Sequence, residues 1–313
     1  MADTTAPPCF KDVTAKAKRD GGFCLEMAHH ALAYLPGNGA AGKNLVVTFG
    51  NLATYRAGGP QWPWAYKLLA EQGWSVLGVI NQRGDWWRDR ALLTALTRLR
   101  NAGFYDRFLR VSTYGASMGG YGALAFGAVI PNAHAVCFAP QSSLDPCDVP
   151  FETRYTRGFE KGDWSLPFSD AASALPHLRR ATIFYDPFQQ LDKAHINRLR
   201  GPNVTLYPLR HIGHVMPPIL KRMGVLKSVA IRALSETLTR QELAQMMRAR
   251  RNLGRYHEMM LHNALARGHF DLGINAIDHT RRELFDHWRV KGMRRKLREG
   301  RMDAKQRKKR SEG

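Results

Sequence analysis

One serine lies in a setting that suits a nucleophile. The residues GASMG (115–119) fit the pattern G-x-S-x-G, and Ser117 stands between the strand-like run FLRVSTY (108–114) and the helix-compatible run GGYGALAFGAVI (119–130). At a sharp turn from a strand into a helix, a serine projects its hydroxyl above the sheet, and small neighbours let the two elements approach closely. The free N–H groups at the start of the helix also face any negative charge that develops there. We therefore interpret Ser117 as a candidate nucleophile.

A glycine-rich turn between a strand and a helix can instead bind phosphate. However, no Lys followed by Ser or Thr comes after this turn, as a P-loop needs, and no G-x-G-x-x-G opens the first predicted strand–helix unit. The pattern G-x-S-x-G is short and often occurs by chance, so its meaning depends on the elements around it.

Strands and helices alternate along most of the chain. Six short apolar runs predict parallel strands, and helical segments separate them. The runs are NLVVTF (44–49), WSVLGVI (74–80), FLRVSTY (108–114), AHAVCFA (133–139), ATIFYD (181–186) and NVTLYPL (203–209). GFCLEM (22–27) and HALAYL (30–35) predict one or two antiparallel strands before them. This order predicts an α/β fold, in which a mostly parallel sheet has helices on both faces.

Changes in composition divide the chain into four parts. Residues 1–20 are polar and predict a flexible N-terminus, and residues 21–234 hold the strand–helix alternation. Within this second part, residues 140–180 intervene between two strands and predict a lid-like insertion. Helical periodicity then replaces the strand pattern, which predicts a helical appendage over 235–290 and a basic tail over 291–313.

These features resemble the α/β-hydrolase fold superfamily over about residues 20–230. Members of that family place nucleophile, acid and histidine in the chain order Ser, Asp or Glu, His, each in a loop after a strand. The resemblance implies that the nucleophile is Ser117, the acid is Asp186 at the end of ATIFYD, and the histidine is His214 after the last strand. His214 would then take the proton of the serine, and Asp186 would hold the imidazole tautomer and stabilise its cation.

Other residues remain open as partners of the serine. Asp192 lies further along the chain, and Asp145 follows the preceding strand, which is an alternative place for the acid in some relatives. His211 is a second histidine, but we favour His214 because Gly-His after the last strand is typical of the family. A metal site at these two histidines lacks an accompanying cluster of Asp or Cys. The tetrapeptide HIGH also occurs in aminoacyl-tRNA synthetases, but there it belongs to the first strand–helix turn of a nucleotide-binding domain.

An oxyanion formed during acyl transfer needs two backbone N–H donors near the nucleophile. Met118, directly after the serine, supplies one by its position. The family takes the other from the loop after the first parallel strand, where Asn51 or Leu52 fits best. In this loop Phe49-Gly50 replaces the family's usual His-Gly, so the second donor departs from the family's pattern. The resemblance implies no metal and no cofactor.

The charge of the chain predicts an anionic partner or substrate. The formal net charge is +21, and from Arg289 onward 12 Lys and Arg stand against 3 Asp and Glu. This imbalance favours contact with nucleic acid or an anionic surface, although a run such as KQRKKR (305–310) is more often only solvated and partly disordered.

The remaining composition excludes several classes of protein. The four Cys show no C-x-x-C spacing, residues 1–20 contain no apolar core, and no run reaches 18 apolar residues. We therefore expect no disulfide framework, no signal peptide and no membrane span, and a cytoplasmic location.

Two hypotheses about function follow from different classes of protein. The first is a serine hydrolase that acts on a carboxylic ester or a related acyl bond through an acyl-enzyme, with acyl transfer to another alcohol as a variant. YGASMGGYGAL (114–124) is similar to a subset of bacterial serine hydrolases associated with glycan modification, so the substrate we expect is a glycan ester or another small acylated molecule. The second is a binding protein that keeps the hydrolase fold without catalysis and docks an anionic partner through its basic C-terminal helices.

Overall fold

A single eight-stranded sheet organises the fold. The structure is a computed structural model that describes residues 10–53, 62–279 and 288–311. The strands are β1 (Phe23–Glu26), β2 (His30–Leu35), β3 (Asn44–Phe49), β4 (Ser75–Asn81), β5 (Arg110–Ala116), β6 (His134–Phe138), β7 (Arg180–Tyr185) and β8 (Val204–Pro208). Their order across the sheet is β1-β2-β4-β3-β5-β6-β7-β8. The pairs β1–β2 and β2–β4 are antiparallel and every other pair is parallel, which confirms the predicted α/β fold.

The register brings the ends of the parallel strands to one edge of the sheet. Phe49 at the end of β3 pairs with Gly115 near the end of β5, and Ala116 pairs with Phe138 at the end of β6. The loops that follow β3, β5, β6, β7 and β8 therefore emerge side by side. In open α/β sheets, this edge is where ligands bind.

Helices cover the sheet and continue beyond it to the C-terminus. Those in the described residues are α1 (Lys11–Arg19), α2 (Tyr66–Ala70), α3 (Arg90–Asn101), α4 (Met118–Ala125), α5 (Thr156–Lys161), α6 (Ala171–Ala174), α7 (Gln190–Arg198), α8 (Met216–Arg222), α9 (Leu226–Leu234), α10 (Arg240–Met246), α11 (Gly254–Ala266), α12 (Phe270–His279) and α13 (Trp288–Ser311).

The sheet has a hydrophobic core on each face, because successive side chains of a strand point to opposite sides. On β3, Val47 and Phe49 are buried in one core with residues of α3 and α4, whereas Val46 is buried in the other with residues of α8 and α9. Burying one such side chain contributes roughly 1.5–3 kcal/mol to stability. The two cores together fix the sheet whose edge carries the candidate site.

The N-terminal segment differs from the flexible arm that the sequence predicts. Residues 1–9 lie outside the described residues, but Lys11–Arg19 is helical. Val13 and Ala17 of this helix are buried against Ala31 and Ala33 of β2, in a small cluster with other apolar residues. Apolar residues four apart on one face of the helix explain why this segment is ordered on the sheet.

The basic tail also differs from the expectation. The sequence predicts that residues 305–310 are solvated and partly disordered, but the chain is helical from Trp288 to Ser311. Met293 and Leu297 are buried in a cluster with Leu261 of α11 and Ile274 of α12, which anchors the first half of this helix. The boundaries of the four predicted parts stay a prediction.

Among the residues that the structure describes, no helix combines the length and the hydropathy that crossing a lipid bilayer requires.

Candidate active site

Ser117 forms the turn between β5 and α4. Its backbone adopts φ = 54° and ψ = −120°, a combination that costs energy in a residue with a side chain. The surrounding structure holds it there, because the N–H of Ser117 donates to the carbonyl of Phe138 on the adjacent strand at 2.8 Å. The side chain is only partly buried, so its hydroxyl remains accessible at the edge of the sheet.

The glycines around Ser117 explain why this sequence can turn so sharply. A Cβ on Gly115 would overlap the carbonyl oxygen of Gly119, and a Cβ on Gly119 would overlap the carbonyl oxygens of Phe49 and Gly50. The start of α4 thus packs directly on the backbone of β5 and on the end of β3. The predicted strand–serine–helix turn is present in the structure.

His214 reaches the serine from the loop after β8. This loop bends at two residues in the left-handed region, His211 with φ = 63° and Gly213 with φ = 83°. The imidazole Nε2 of His214 then lies 2.9 Å from the Oγ of Ser117. The structure therefore brings these two predicted site residues together.

The carboxylate on the other side of the imidazole belongs to Asp192. Its Oδ2 lies 2.8 Å from Nδ1 of His214, and its side chain is only 1% exposed. Burial raises the pKa of this carboxyl, but hydrogen bonds and charge from His214 and Arg154 outweigh it, so the pKa lies below its usual value. An ionised carboxylate can only accept, so Nδ1 carries the proton and Nε2 accepts from the hydroxyl of Ser117.

Asp186, which the sequence predicts as the acid, has a different place. It is buried at the end of β7, where its Oδ2 accepts the backbone N–H of Gly213 at 2.8 Å and its Oδ1 accepts that of Phe188 at 3.0 Å. Both carboxylate oxygens are thus used to fasten two loops, and the loop that contains Gly213 also carries His214. The structure corrects the prediction because the chain continues for six residues beyond Asp186, into the first turn of α7, before Asp192 faces the imidazole.

Asp145 and His211, the remaining candidate partners of the serine, are bonded elsewhere. Asp145 accepts the N–H of Cys147 at 2.9 Å within its own turn. His211 stacks on Phe188 at 4.3 Å between ring centroids, and its Nδ1 lies 3.0 Å from the side-chain nitrogen of Asn263 on α11. His211 therefore faces the C-terminal helices.

The predicted oxyanion donors lie at the same edge of the sheet as Ser117. Met118 opens α4, so its N–H is free of the helical ladder, and its carbonyl accepts the indole N–H of Trp87 at 3.1 Å. Asn51 follows the end of β3, which packs against Gly119. The loop continues through residues 54–61, which lie outside the described residues. The roles of Met118 and Asn51 in binding an oxyanion remain a prediction.

Gln141 and Tyr155, which are not among the predicted catalytic or oxyanion residues, complete the surroundings of the serine. Gln141 follows β6, and its side-chain nitrogen lies 3.4 Å from Ser117 Oγ while its oxygen accepts the indole N–H of Trp86 at 3.1 Å. Tyr155, from the predicted insertion, packs on Trp86 and places its hydroxyl 3.3 Å from Nε2 of His214. The aromatic content of the insertion was the signal that could have indicated Tyr155. No local pattern marks Gln141.

One cluster in the described residues has donor types that suit a metal ion. His30, Asp85 and Asp89 bring one ligand atom each within 4.8 Å of one another. However, Asp85 binds His30 Nε2 at 3.2 Å and the N–H of Trp87 at 3.0 Å, and Asp89 caps α3 by accepting from Ala91 and Leu92. These contacts hold the loop after β4, while Nδ1 of His30 is buried without a hydrogen-bond partner among the described residues and lies 3.9 Å from Oδ2 of Asp89.

Comparison with known proteins identifies the fold. No family model matches the sequence, and neither does any curated protein. A crystal structure of an esterase/lipase from an uncultured bacterium aligns at 15% identity with a TM-score of 0.50, covering 76% of this chain and 92% of the other.

Two further solved structures align over a similar length. FphF, a fluorophosphonate-binding serine hydrolase of Staphylococcus aureus, aligns at 12% identity with a TM-score of 0.44, over 69% of this chain and 97% of the other. The capsule O-acetyltransferase of Neisseria meningitidis serogroup A aligns at 13% identity with a TM-score of 0.45, over 67% and 94%. The alignment with the esterase/lipase, at 15% identity, shows the architecture alone. With its sheet order and helices, the chain has an α/β-hydrolase-like fold.

Proposed function

We propose that this protein is a serine hydrolase that cleaves a carboxylic ester or a related acyl bond through an acyl-enzyme. The observation that supports the proposal is one line of contacts, from Ser117 Oγ to His214 Nε2 at 2.9 Å and from His214 Nδ1 to Asp192 at 2.8 Å. A nucleophile, a base and an orienting carboxylate at these separations are what nucleophilic catalysis by serine needs.

Acylation begins when the Oγ of Ser117 attacks the carbonyl carbon of the substrate. Nε2 of His214 takes the hydroxyl proton, and Asp192 holds the Nδ1–H and stabilises the imidazolium. The N–H of Met118 and a second donor from the loop at Asn51 bind the oxyanion. When the tetrahedral intermediate collapses, His214 returns the proton to the leaving alcohol, and the acyl group stays on Ser117.

Deacylation repeats these steps with a second oxygen nucleophile. Water, or the hydroxyl of an acceptor, loses its proton to Nε2 of His214 and attacks the acyl-enzyme, and Ser117 then leaves with that proton. The same residues thus serve hydrolysis and acyl transfer, and the acceptor decides between them. A glycan ester or another small acylated molecule is the substrate class that we propose to examine first.

A fluorophosphonate probe tests the proposal directly. The probe bonds covalently to a serine activated by its own base and loses fluoride, so we expect labelling of the folded wild-type protein. Ser117→Ala should abolish the labelling. Ser165→Ala, which removes an exposed serine of the insertion bonded to Asp163, should leave the labelling unchanged.

A panel of p-nitrophenyl and glycan acetate esters, with Ser117→Ala as control, then identifies the acyl group. Equal turnover by wild type and Ser117→Ala, or no labelling of folded wild-type protein, would reject the proposed enzyme.

A second candidate function is favoured by one feature of the appendage. The helix α13 includes all 12 Lys and Arg that follow position 288, and many of its residues are exposed. A non-catalytic protein of this fold could dock an anionic polymer there, and such binding weakens steeply as salt concentration rises. If residues 288–313 are deleted and retention on a heparin or nucleic-acid column stays the same, this function is excluded.

A further inference from the structure

The helix α7 carries three charged or polar side chains on one face. Asp192, His195 and Arg198 are spaced three residues apart, so they lie in a row along the helix. Each contacts the insertion, defined as residues 140–180. The carboxylate of Asp192 accepts from Arg154 at 2.8 Å, and His195 Nε2 lies 2.9 Å from Glu152. The proposed acid therefore belongs to a set of residues that fastens the insertion to the helix.

Arg154 joins two buried carboxylates. Its guanidinium donates to both oxygens of Glu152, at 2.6 to 3.1 Å, and to Oδ1 of Asp192 at 2.8 Å. The side chains of Glu152 and Asp192 are each 1% exposed, whereas that of Arg154 is 26% exposed. Asp192 thus has one oxygen on His214 and the other on Arg154. The orientation of the carboxylate is fixed from both sides.

Glu152 is itself held from behind. Burial opposes its ionisation, but hydrogen bonds from His195 and Arg154 outweigh this and lower the pKa of Glu152 to about 2. Burial also lowers the pKa of His195, which favours the neutral ring. In this form Nε2–H donates to Glu152, and Nδ1 accepts the N–H of Ser142 at 3.1 Å. Arg198 then donates to Ser142 Oγ at 2.8 Å.

Ser142, His195 and Glu152 contain the three residue types of a catalytic triad. However, Ser142 and His195 are completely buried, so no substrate reaches the hydroxyl. The Oγ of Ser142 lies 3.0 Å from Nδ1 of His195, but it also accepts from Arg198, and Nδ1 also accepts the backbone N–H of Ser142. This group is therefore a support for Glu152 and, through Glu152, for Arg154.

We propose that Arg154 is a positioning residue for the reaction: it holds Asp192 against His214, so the catalytic set is complete only while the insertion is docked on α7. The proposal rests on the proposed function for its effect on catalysis. The claim that Arg154 positions Asp192 depends on the contacts alone, and it can be measured without substrate. This positioning gives the insertion a role in addition to covering the site.

Charge gives the proposal a signature in pH. The ionisable groups that face Asp192 are His214 from the loop after β8, Arg154 and Tyr155 from the insertion, and His195 on the same helix. Of these, Arg154 is the permanent positive charge. Without it, the pKa of Asp192 rises, so Asp192 binds a proton at higher pH. This change moves the acid limb of the pH–rate profile to higher pH.

The test compares Arg154→Met with Arg157→Met, which removes an exposed arginine of α5, in protein shown to be folded by circular dichroism. We expect Arg154→Met to lower the rate constant of fluorophosphonate labelling by about ten- to a hundredfold and to move the acid limb upward. Arg157→Met should match wild type. Arg154→Lys keeps the positive charge but loses the paired N–H donors of the guanidinium. The acid limb should therefore stay at the pH of wild type, while the rate constant of labelling falls by less than in Arg154→Met. Should Arg154→Met fail to fold, Arg154→Lys carries the test.

A double-mutant cycle separates positioning from general damage. If Arg154 acts through Asp192, then Arg154→Met should cost almost nothing further in an Asp192→Asn background. An equal loss in both backgrounds, with no change in the pH profile, would overturn the proposal.

A proton spectrum distinguishes this failure from failure of the proposed enzyme. The low-field resonance of the His214 Nδ1–H, assigned by its loss in His214→Gln, should shift or broaden in Arg154→Met. If the resonance is unchanged in Arg154→Met, the positioning role is overturned, even if wild type is never labelled. If wild type is not labelled but the resonance shifts in Arg154→Met, the proposed enzyme is rejected and the positioning role is supported.

Discussion

The carboxylate of Asp186 accepts the backbone N–H of Gly213 at 2.8 Å, while the imidazole of the next residue, His214, bonds to Asp192. Two buried aspartates therefore hold the same loop at adjacent residues, one through its backbone and the other through its side chain. This division of labour predicts that the two carboxylates fail in different ways when each is neutralised.

Asp192→Asn should mainly slow the reaction of Ser117. An amide cannot stabilise the imidazolium, and it can turn its NH₂ toward Nδ1 and so favour the wrong tautomer. We expect labelling of Ser117 to slow by about a thousandfold or more. The rate constant of fluorophosphonate labelling measures this effect, with the melting temperature as a check on folding.

Asp186→Asn, by contrast, should be mainly a defect of stability. The oxygen of the amide can accept only one of the two backbone N–H groups, from Gly213 or from Phe188. The other N–H then faces the NH₂ group of the amide, so two hydrogen-bond donors meet in a buried place. We expect a loss of about 1–3 kcal/mol in the free energy of unfolding, measured by urea denaturation, with labelling slowed less than by Asp192→Asn. The reverse pattern of defects in these two variants would restore Asp186 as the acid.

Much of the fold and part of the site follow from local patterns in the sequence. The apolar runs predict the six parallel strands and the antiparallel start of the sheet, because buried strands have apolar side chains on both faces. Ser117 is marked by the glycines that its turn requires, and His214 by its place after the last strand. These features depend on residues close together in the chain.

Asp192, Arg154 and Gln141 depend instead on which distant segments meet. Asp186 stands in the position that the family pattern favours, and only the three-dimensional path of the chain shows that the imidazole turns toward α7. The row of Asp192, His195 and Arg198 was a usable signal, since three polar residues at helical spacing on a partly buried helix indicate a partner. That signal does not say which partner it is.

Gly115→Ala tests whether the turn at Ser117 depends on close packing. The added Cβ would overlap the carbonyl of Gly119, so β5 and α4 must move apart. Strain of this kind costs about 1–3 kcal/mol, and we expect a lower melting temperature together with a slower labelling of Ser117.

Gly292→Ala is the matched control for that substitution. Gly292 lies within α13, and a Cβ there meets nothing within 4 Å. Because alanine is the better helix former, this variant should be more stable by about 0.5–1 kcal/mol. Similar melting temperatures for the two variants would show that the packing at Gly115 is looser than the contacts imply.

The buried charge of Glu152 should appear in the dependence of stability on pH. The folded protein holds the pKa of Glu152 at about 2, below the 4.5 of the free group. The carboxylate therefore stabilises the folded state fully above pH about 4.5, and this contribution disappears as pH falls toward 2.

Glu152→Gln isolates this contribution. In urea denaturation at pH 6, the free energy of unfolding of wild type should exceed that of the variant by up to about 3 kcal/mol. This difference should shrink steadily as pH falls from about 5 to about 2.5. A difference that is constant over this range would mean that the ionisation of Glu152 is not coupled to folding.

Tyr155 should limit the size of the acyl or alcohol group that reaches Ser117. Its ring packs between Trp86, at 4.9 Å between centroids, and the guanidinium of Arg154, at 5.1 Å, with its hydroxyl 3.3 Å from His214 Nε2. A ring held in this place occupies space beside the nucleophile. We expect Tyr155→Ala to raise kcat/KM for butyrate and hexanoate esters relative to acetate by about tenfold, since each methylene that gains room is worth roughly 1–3 kcal/mol at most. Tyr155→Phe keeps the ring and should keep the substrate preference of wild type. A changed preference in Tyr155→Phe would show that the hydroxyl causes the effect. An unchanged ratio of kcat/KM values in Tyr155→Ala would show that the substrate lies on the other side of Ser117.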